Sequence, residues 1–542
     1  MIRKNNKHSF KLLAVVSLYL VTFASCDNVN KMTNKQDNRQ SIFLNLAADA
    51  IVGYTQLGDI DKISKEQAIS ALNNHIDIYA NTQVSCLLFN INYQRSCFDS
   101  KVMESYWNLT NPDSAITGWP KMHWKIYKKG IDVYDVCITR SRLKGISPWI
   151  SFRMNDHHYF EDSTKINKLW LDHPEYRNHP KGLFNYANKE VRDFYKAFIT
   201  EVLEKYDIDG IELDWMRTHT IFKQGEEAQG IELINQFMRE IRSVTKQKSI
   251  ERGHPIKIAA RVPSTPGIGK SFGLDGVAWV KEGLVDVLIP TNWYVPTNFD
   301  IPVELWKSEI GKGIDYILAP GADFAYTIAT DKYLKMMKSN IETMRGFTVS
   351  AYDRGADAVY FFNNFDPSYD RKIINQDGTF QIVNDKLMIL NETGKNATSL
   401  GKPRSHVYTY NNPDIKPSPT NGPVLLKDIE NEFDIYTGPK PGKGNFIIRI
   451  GLESLKGFEN ARLDVKINGK NCQQIEDMQR DPAYKYDNTK IWEIVKNVSE
   501  TSARMMQFKV ELSSVKNGYN RIVVVNSQKE EQSMTWLEVY IE

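Results

Sequence analysis

Cysteine is scarce: five in 542 residues. The five, Cys26, Cys86, Cys97, Cys137 and Cys472, are spaced in no metal-ligand pattern. Cys86 lies in an apolar run and reads as buried; export would permit a Cys97–Cys137 bridge, but no feature of the sequence supports one. An excess of one charge is lacking too. Lys and Arg number 69 against 66 Asp and Glu, a net charge of +3, and the two signs are interspersed. Nothing resembles the basic face of a nucleic-acid binder, so no nucleic-acid partner is expected. The longest apolar run near the N-terminus, Leu12 to Phe23, is too short to span a bilayer. Nucleotide-binding loops, metal-ligand clusters and serine-centred nucleophile motifs are all missing, so no cofactor and no metal are expected.

What is present is a globular composition, 41% hydrophobic and 25% charged, enough to bury a sizeable core. The first residues form a processing signal. Arg3, Lys4, Lys7 and Lys11 supply a positive start to the apolar run, which ends in Phe23-Ala24-Ser25-Cys26. Small residues just before a cysteine resemble a bacterial lipobox, which implies a signal peptide over 1–25 and lipidation of Cys26. Residues 26–42 read as a polar tether. The expected location is therefore the bacterial cell envelope, with a lipid anchor in place of a spanning helix.

From about residue 80, short apolar runs alternate with longer helical patterns, the rhythm of parallel β/α architecture. Eight strands can be counted: Val84–Asn90, Ile146–Arg153, a weak Gly182–Tyr186, Ile208–Asp214, Ile256–Val262, Val285–Thr291, Ile314–Pro320 and Ala358–Asn363. Helical periodicity is clearest over Lys189–Lys205, Glu226–Ser249 and Lys332–Tyr352. Eight such units close a (β/α)₈ barrel, assigned to residues 43–400. The stretch 91–143, with Trp107, Trp119, His123 and Trp124, is longer than one helix needs and would extend the barrel rim. Residues 401–423 read as a linker. Alternating runs at Asn445–Ile450, Arg462–Ile467, Gln507–Leu512, Asn520–Val525 and Met534–Ile541, set off by turn signals, make 424–542 an antiparallel β-sandwich. The fold class is thus α/β, a TIM barrel followed by a β-sandwich.

The chemistry concentrates in Asp209-Gly210-Ile211-Glu212-Leu213-Asp214-Trp215-Met216-Arg217. Strand side chains alternate, so Gly210, Glu212 and Asp214 share one face, and Ile211, Leu213 and Trp215 the other. With the apolar set turned to the helices, two carboxylates point into the barrel at the C-terminal end of a strand, where barrel enzymes place catalytic groups. Burying two acids is costly unless they are paired or functional. Their α-carbons lie about 6–7 Å apart by strand rise.

This segment resembles the fourth strand of the glycosyl-hydrolase-like barrel families, of the glycosyl hydrolase-like 10 type. Trp149-Ile150-Ser151-Phe152-Arg153-Met154-Asn155-Asp156-His157-His158 and Asn185-Tyr186-Ala187-Asn188-Lys189-Glu190-Val191-Arg192 resemble the same group. The resemblance covers roughly residues 80–410. It implies a barrel that cleaves glycosidic bonds with paired carboxyls. Against family 18 chitinases, Asp209, Gly210 and Asp214 fit, Glu212 replaces an Asp, and the acid position holds Met216, which cannot donate a proton. Against the alpha-amylase type, Asp214 matches the nucleophile, but Glu212 stands where an Arg is expected.

The catalytic candidates are Asp214 as nucleophile or base, with Glu212 or Asp323 as proton donor. Asp323 sits in the small-residue turn Pro320-Gly321-Ala322-Asp323-Phe324, and Asp156 and Asp366 also close strands. Arg153, Asn155, Asp156, His157, Arg217, Arg261, Asn292, Trp293, Tyr294 and Asn363 are candidates for substrate binding, with Trp293 and Tyr294 as flat faces for sugar C–H surfaces. Blander roles compete. Asp156 and His157 suit a turn, Arg217 could simply pair with Asp214, Asp286 and the helical Trp279 and Trp306 read as structural, and adjacent His157 and His158 point apart rather than toward one metal. The expectation is a lipid-anchored glycoside hydrolase with an oligo- or polysaccharide substrate. The alternative is a non-catalytic carbohydrate-binding lipoprotein on the same barrel.

Overall fold

In the computed structural model, residues 39–542 are described apart from 180–181, 293–296, 330–333, 364–369, 375–378, 410–422, 488 and 491. The signal, Cys26 and most of the tether lie outside the described residues, as do Trp293, Tyr294 and Asp366. Residues Arg39–Glu542 form one compact unit.

The barrel consists of eight parallel strands. They are β1 (Ile42–Leu46), β2 (Val84–Asn90), β3 (Ser147–Arg153), β4 (Gly210–Asp214), β5 (Lys257–Pro263), β6 (Val287–Thr291), β7 (Ile317–Leu318, continued by Gly321–Ala322) and β8 (Val359–Phe361). Pro320 offers no N–H, and the seventh strand is read in two pieces around it. The first piece pairs with β6 and the second with β8. β8 pairs with β1 through Ile42↔Val359 and Phe43↔Tyr360, which closes the ring.

Two strand expectations are corrected. The first strand is Ile42–Leu46, which the sequence reading left in the tether and leader of the barrel. Gly182–Tyr186 is not a strand; Phe184 makes a single bridge to Arg177, and the segment is a loop leading into the helix Lys189–Lys205. A third correction concerns Lys332–Tyr352. Its described start is the strand Leu334–Lys338, and the helix is Ile341–Asp353. Asn340 ends the one and caps the other, with its side chain on Thr343 N and the Thr343 hydroxyl on its own N–H.

Inside the barrel the side chains follow the period-two rule. Ile211 and Leu213 pack into the large cluster between strands and helices. Gly210 faces inward, where a Cβ would lie 2.5 Å from the Trp149 ring. Trp149 fills the lower barrel with Phe43, Ala259, Val287 and Ala358, and the two acids of β4 stand above it. Trp279 and Trp306 are fully buried core residues. Asp286 accepts from Arg242 and from Ile258 N, a structural role. All four described cysteines are free thiols, so Cys97 and Cys137 do not bridge.

The C-terminal region is a sandwich of two antiparallel sheets. One carries Phe446–Leu452, Arg504–Val510 and Gln532–Ile541; the other carries Glu430–Tyr436, Leu463–Ile467 and Tyr519–Asn526. Phe446, Ile448 and Ile450 meet Ile522 and Val524 in its core. Arg404–Val407, inside the stretch read as linker, is a strand of the first sheet, paired with Gln532–Ile541. It lies on the helix Ile341–Asp353 so closely that a Cβ on Gly346 would sit 1.8 Å from the Ser405 carbonyl oxygen. Trp536 and Met505, on the first sheet's other face, join the barrel's core. At the helix's end Arg354 binds Asp300 and Glu304 and reaches Tyr519 of the sandwich.

Candidate active site

The inward side chains at the C-terminal ends of the strands build one polar, buried layer. Registers set their order: Ser151 faces Glu212 and Arg153 faces Asp214 across β3 and β4, while Asp214 faces Arg261 across β4 and β5. Glu212 and Asp214 are 0% exposed and Asp323 4%. Acids so buried have to be paired, neutral, or both.

Asp214 is paired. Its Oδ1 accepts from Met216 N at 2.9 Å, capping the short turn Trp215–Arg217. Its Oδ2 lies 3.3 Å from Arg261 Nη1. Arg261 is itself aimed by Thr291, whose hydroxyl oxygen accepts from Nε at 3.0 Å, and its guanidinium lies 4.1 Å from the Phe362 ring centre.

Glu212 sits one position deeper. Asn45 of β1 reaches across and donates to its Oε2 at 2.7 Å, and the same Nδ2 is 3.0 Å from Ser151 Oγ. Burial, reinforced by the negative charge of Asp214, pushes Glu212 up to about 7 against the opposing pull of Ser151, Tyr360 and Arg261.

Asp323 follows β7. Burial pushes it up to about 6, although Phe324 N, Arg261, Arg217 and Asn363 all favour its ionised form. Oδ1 accepts from Phe324 N at 2.7 Å and from Asn363 Nδ2 at 3.4 Å. Oδ2 is buried with no hydrogen-bond partner among the described residues. Asn363 takes a left-handed φ of 56°, a conformation that Asn tolerates and that here aims its amide at Asp323.

Asp156 is a different kind of acid. Burial alone would raise its pKa, but His158, Arg153 and Arg217 outweigh that and hold it well below the carboxylate range. Arg153 Nη1 donates at 2.9 Å, and His158 contributes its N–H at 2.8 Å and Nδ1 at 2.7 Å. It is an anchor for arginines rather than a proton donor. Arg217, a candidate for substrate binding with pairing to Asp214 as the alternative, has its Nε 4.0 Å from Asp156 Oδ2 and its guanidinium toward the Phe362 ring. His157 Nδ1 lies 3.1 Å from the Thr218 hydroxyl, and burial lowers its pKa. Asn155 pins the following loop through Phe184, donating to its carbonyl and accepting from its N–H. Asn292 is buried at the end of β6.

Of the rim aromatics, Trp107, Trp124 and Tyr127 stack on one another. Trp119 donates to the Tyr159 hydroxyl, and His123 binds the Ala48 carbonyl. The sequence reading missed Asn45, Ser151, Thr291 and Tyr360. Ser151, Thr291 and Tyr360 lie on recognised strands at inward positions two, one and three residues from the chosen Arg153, Asn292 and Asn363; Asn45 went with the unrecognised β1. Among the described residues no group of three or more His, Cys, Asp or Glu could hold a metal ion.

No family model and no curated protein matches the chain. Among solved structures, it is similar to a chitinase from Bacillus thuringiensis at 9% identity and a TM-score of 0.38, over 92% of this chain and 100% of that one. A family 18 chitinase from Chromobacterium violaceum is similar at 9% identity and 0.35, over 92% and 90%. A tryptophan synthase from M. tuberculosis reaches 10% identity and 0.30, over 70% and 96%. Likenesses this weak carry no argument about chemistry, which rests on the site itself.

The raised Glu212 has a consequence for stability. Its folded pKa, about 7, exceeds the unfolded value near 4.5, so the native state holds the extra proton and stability falls as pH rises from the lower value through the higher one. Glu212→Gln should therefore raise the melting temperature above pH 7, by a free energy on the order of 2–3 kcal/mol, with the gap closing below about pH 4.5. Melting curves of both proteins from pH 4 to 8.5 check this; a gap that does not change with pH would contradict the assignment.

Proposed function

We propose that this chain is a glycoside hydrolase, exported and held in the cell envelope by a lipid on Cys26, acting on an oligo- or polysaccharide. One observation carries the reading. Three buried carboxyls share the catalytic mouth of a barrel, and their surroundings differ: Asp214 sits on a guanidinium and a backbone N–H, while Glu212 and Asp323 are pushed toward neutrality. Groups set apart in this way are what acid/base work requires.

In this reading Asp214 acts as the carboxylate, attacking the anomeric carbon or drawing the proton from water. Asp323 donates its proton to the departing glycosidic oxygen. Each of the two keeps one oxygen without a hydrogen-bond partner among the described residues; Asp323 is preferred over Glu212 as donor because it stands on the turn that follows β7, above the strands, whereas Glu212 lies one position below Asp214 and is held there by Asn45. Arg261 orients Asp214, and Asn363 orients Asp323. Arg153, Arg217 and Asn292 complete the proposed binding surface.

The purified chain and its Asp214→Asn variant should be run side by side on neutral, acidic and sulfated glycans. New reducing ends are expected from the wild type, and a loss of about 10³-fold or more in the variant at little cost in melting temperature. Undiminished turnover by the variant would remove Asp214 from the mechanism. Silence of the wild type across the panel, with retained glycan affinity, would favour the binding lipoprotein. For the anchor, cells expressing the chain should incorporate a clickable fatty acid into it, and Cys26→Ala should abolish the label; labelling that persists would rule out Cys26.

A further inference from the structure

Tyr360 projects from β8 into the barrel and is completely buried. The fold makes room for it. Gly321 stands beside it on β7, where a Cβ would lie 3.0 Å from the Tyr360 ring and 2.3 Å from Thr291. Yet the hydroxyl makes no hydrogen bond among the described residues, and neither does Glu212 Oε1. Two buried polar atoms are thus left incomplete in the same layer, close enough that each influences the other's proton affinity. For packing alone phenylalanine would serve better, since an unsatisfied buried hydroxyl is a net cost.

We propose that Tyr360 is a positioning residue for Glu212: its hydroxyl turns to the Glu212 carboxylate when that group ionises and thereby sets how readily the layer beneath Asp214 releases its proton. The other groups facing Glu212 divide by strand. Asp214 above it and Cys86 on β2 oppose its ionisation or are opposed by it. Arg261 on β5 favours ionisation but is spent on Asp214. Asn45 on β1 already holds Oε2, and Ser151 on β3 shares the Asn45 amide. Oε1 remains, and the Tyr360 hydroxyl is a buried donor of the same barrel interior that, like it, has no hydrogen-bond partner among the described residues. It touches no substrate in this account and acts through Glu212. The inference rests on the reading of this mouth as catalytic only for its consequence, not for its test.

The test uses the full chain and no substrate. Infrared spectra collected against pH follow the protonated carboxyl band of Glu212, identified as the band lost in Glu212→Gln. In Tyr360→Phe the Glu212 midpoint should move up by about 0.5–1 pH unit, because a donor to the charged form has been removed, while the melting temperature holds or rises. A raised melting temperature with an unmoved midpoint would overturn the proposal and leave the hydroxyl a packing leftover. Should Tyr360→Phe not fold, carbon-13 labelled tyrosine in the wild-type chain decides. One Cζ resonance should titrate near pH 7 and stop titrating in Glu212→Gln; no such resonance would overturn the proposal. If the midpoint shifts but no glycan is cleaved, the hydrolase reading fails and this one stands.

Discussion

The constraint on which the rest depends is the closing of eight strands around an acidic pair. Glu212 and Asp214 share the inward face of β4, so ring closure by β8 and β1 leaves them nowhere to go but the interior. There each must be matched. Asp214 takes an ion pair with Arg261 from the next strand, as Asp156 takes one with Arg153 at the mouth. Glu212, with only amide and hydroxyl neighbours in direct contact, keeps a proton to higher pH. The difference between two acids two residues apart thus comes from which strand neighbours them and how deep they lie.

The remainder of the molecule holds that layer in register. Below it, Trp149 fills the space that Gly210 leaves, which fixes how low the acids can sit. On one flank the helix Ile341–Asp353 is pressed between the barrel and the sandwich strand Arg404–Val407, with Gly346 permitting the contact. Ser339, two residues before that helix, donates its hydroxyl to the Asp323 carbonyl and its N–H to the Phe324 carbonyl, so the sandwich braces the acid-bearing side of the mouth. The sandwich is in this sense part of the barrel's wall, with its own core on one face and Trp536 and Met505 in the barrel's core on the other.

Much of this was legible in the residues. The alternation in Gly210–Asp214 placed both acids inward and Ile211 and Leu213 outward, and the small-residue turn at Gly321–Asp323 marked a strand end close to the site. The β1 strand was not legible, because five residues beside a polar leader carry too little periodicity to stand out, and Asn45 was lost with it. The apolar Gly182–Tyr186 imitated a strand only because a loop that packs under Asn155 is also apolar. Tyr360 was not singled out within the strand Ala358–Asn363, since nothing local relates its hydroxyl to a carboxylate on β4. Which arginine pairs with which acid was equally hidden. Arg217 is near Asp214 in sequence, but the short turn after β4 swings it toward Asp156, and Arg261 takes its place through strand register. Sequence proximity governs faces, whereas pairing is decided by the ring.

The measurement that bears most directly on this account is the pH dependence of kcat/KM on the best glycan substrate, for the wild type and for Asp323→Asn. With Asp323 as the proton donor, wild-type activity should fall as pH rises through about 6, the value to which burial pushes that carboxyl, and the variant should lose both most of its rate and that falling limb. A wild-type profile that stays flat from pH 5 to 8, or a variant that keeps the same limb, would contradict the division of roles among the three carboxyls.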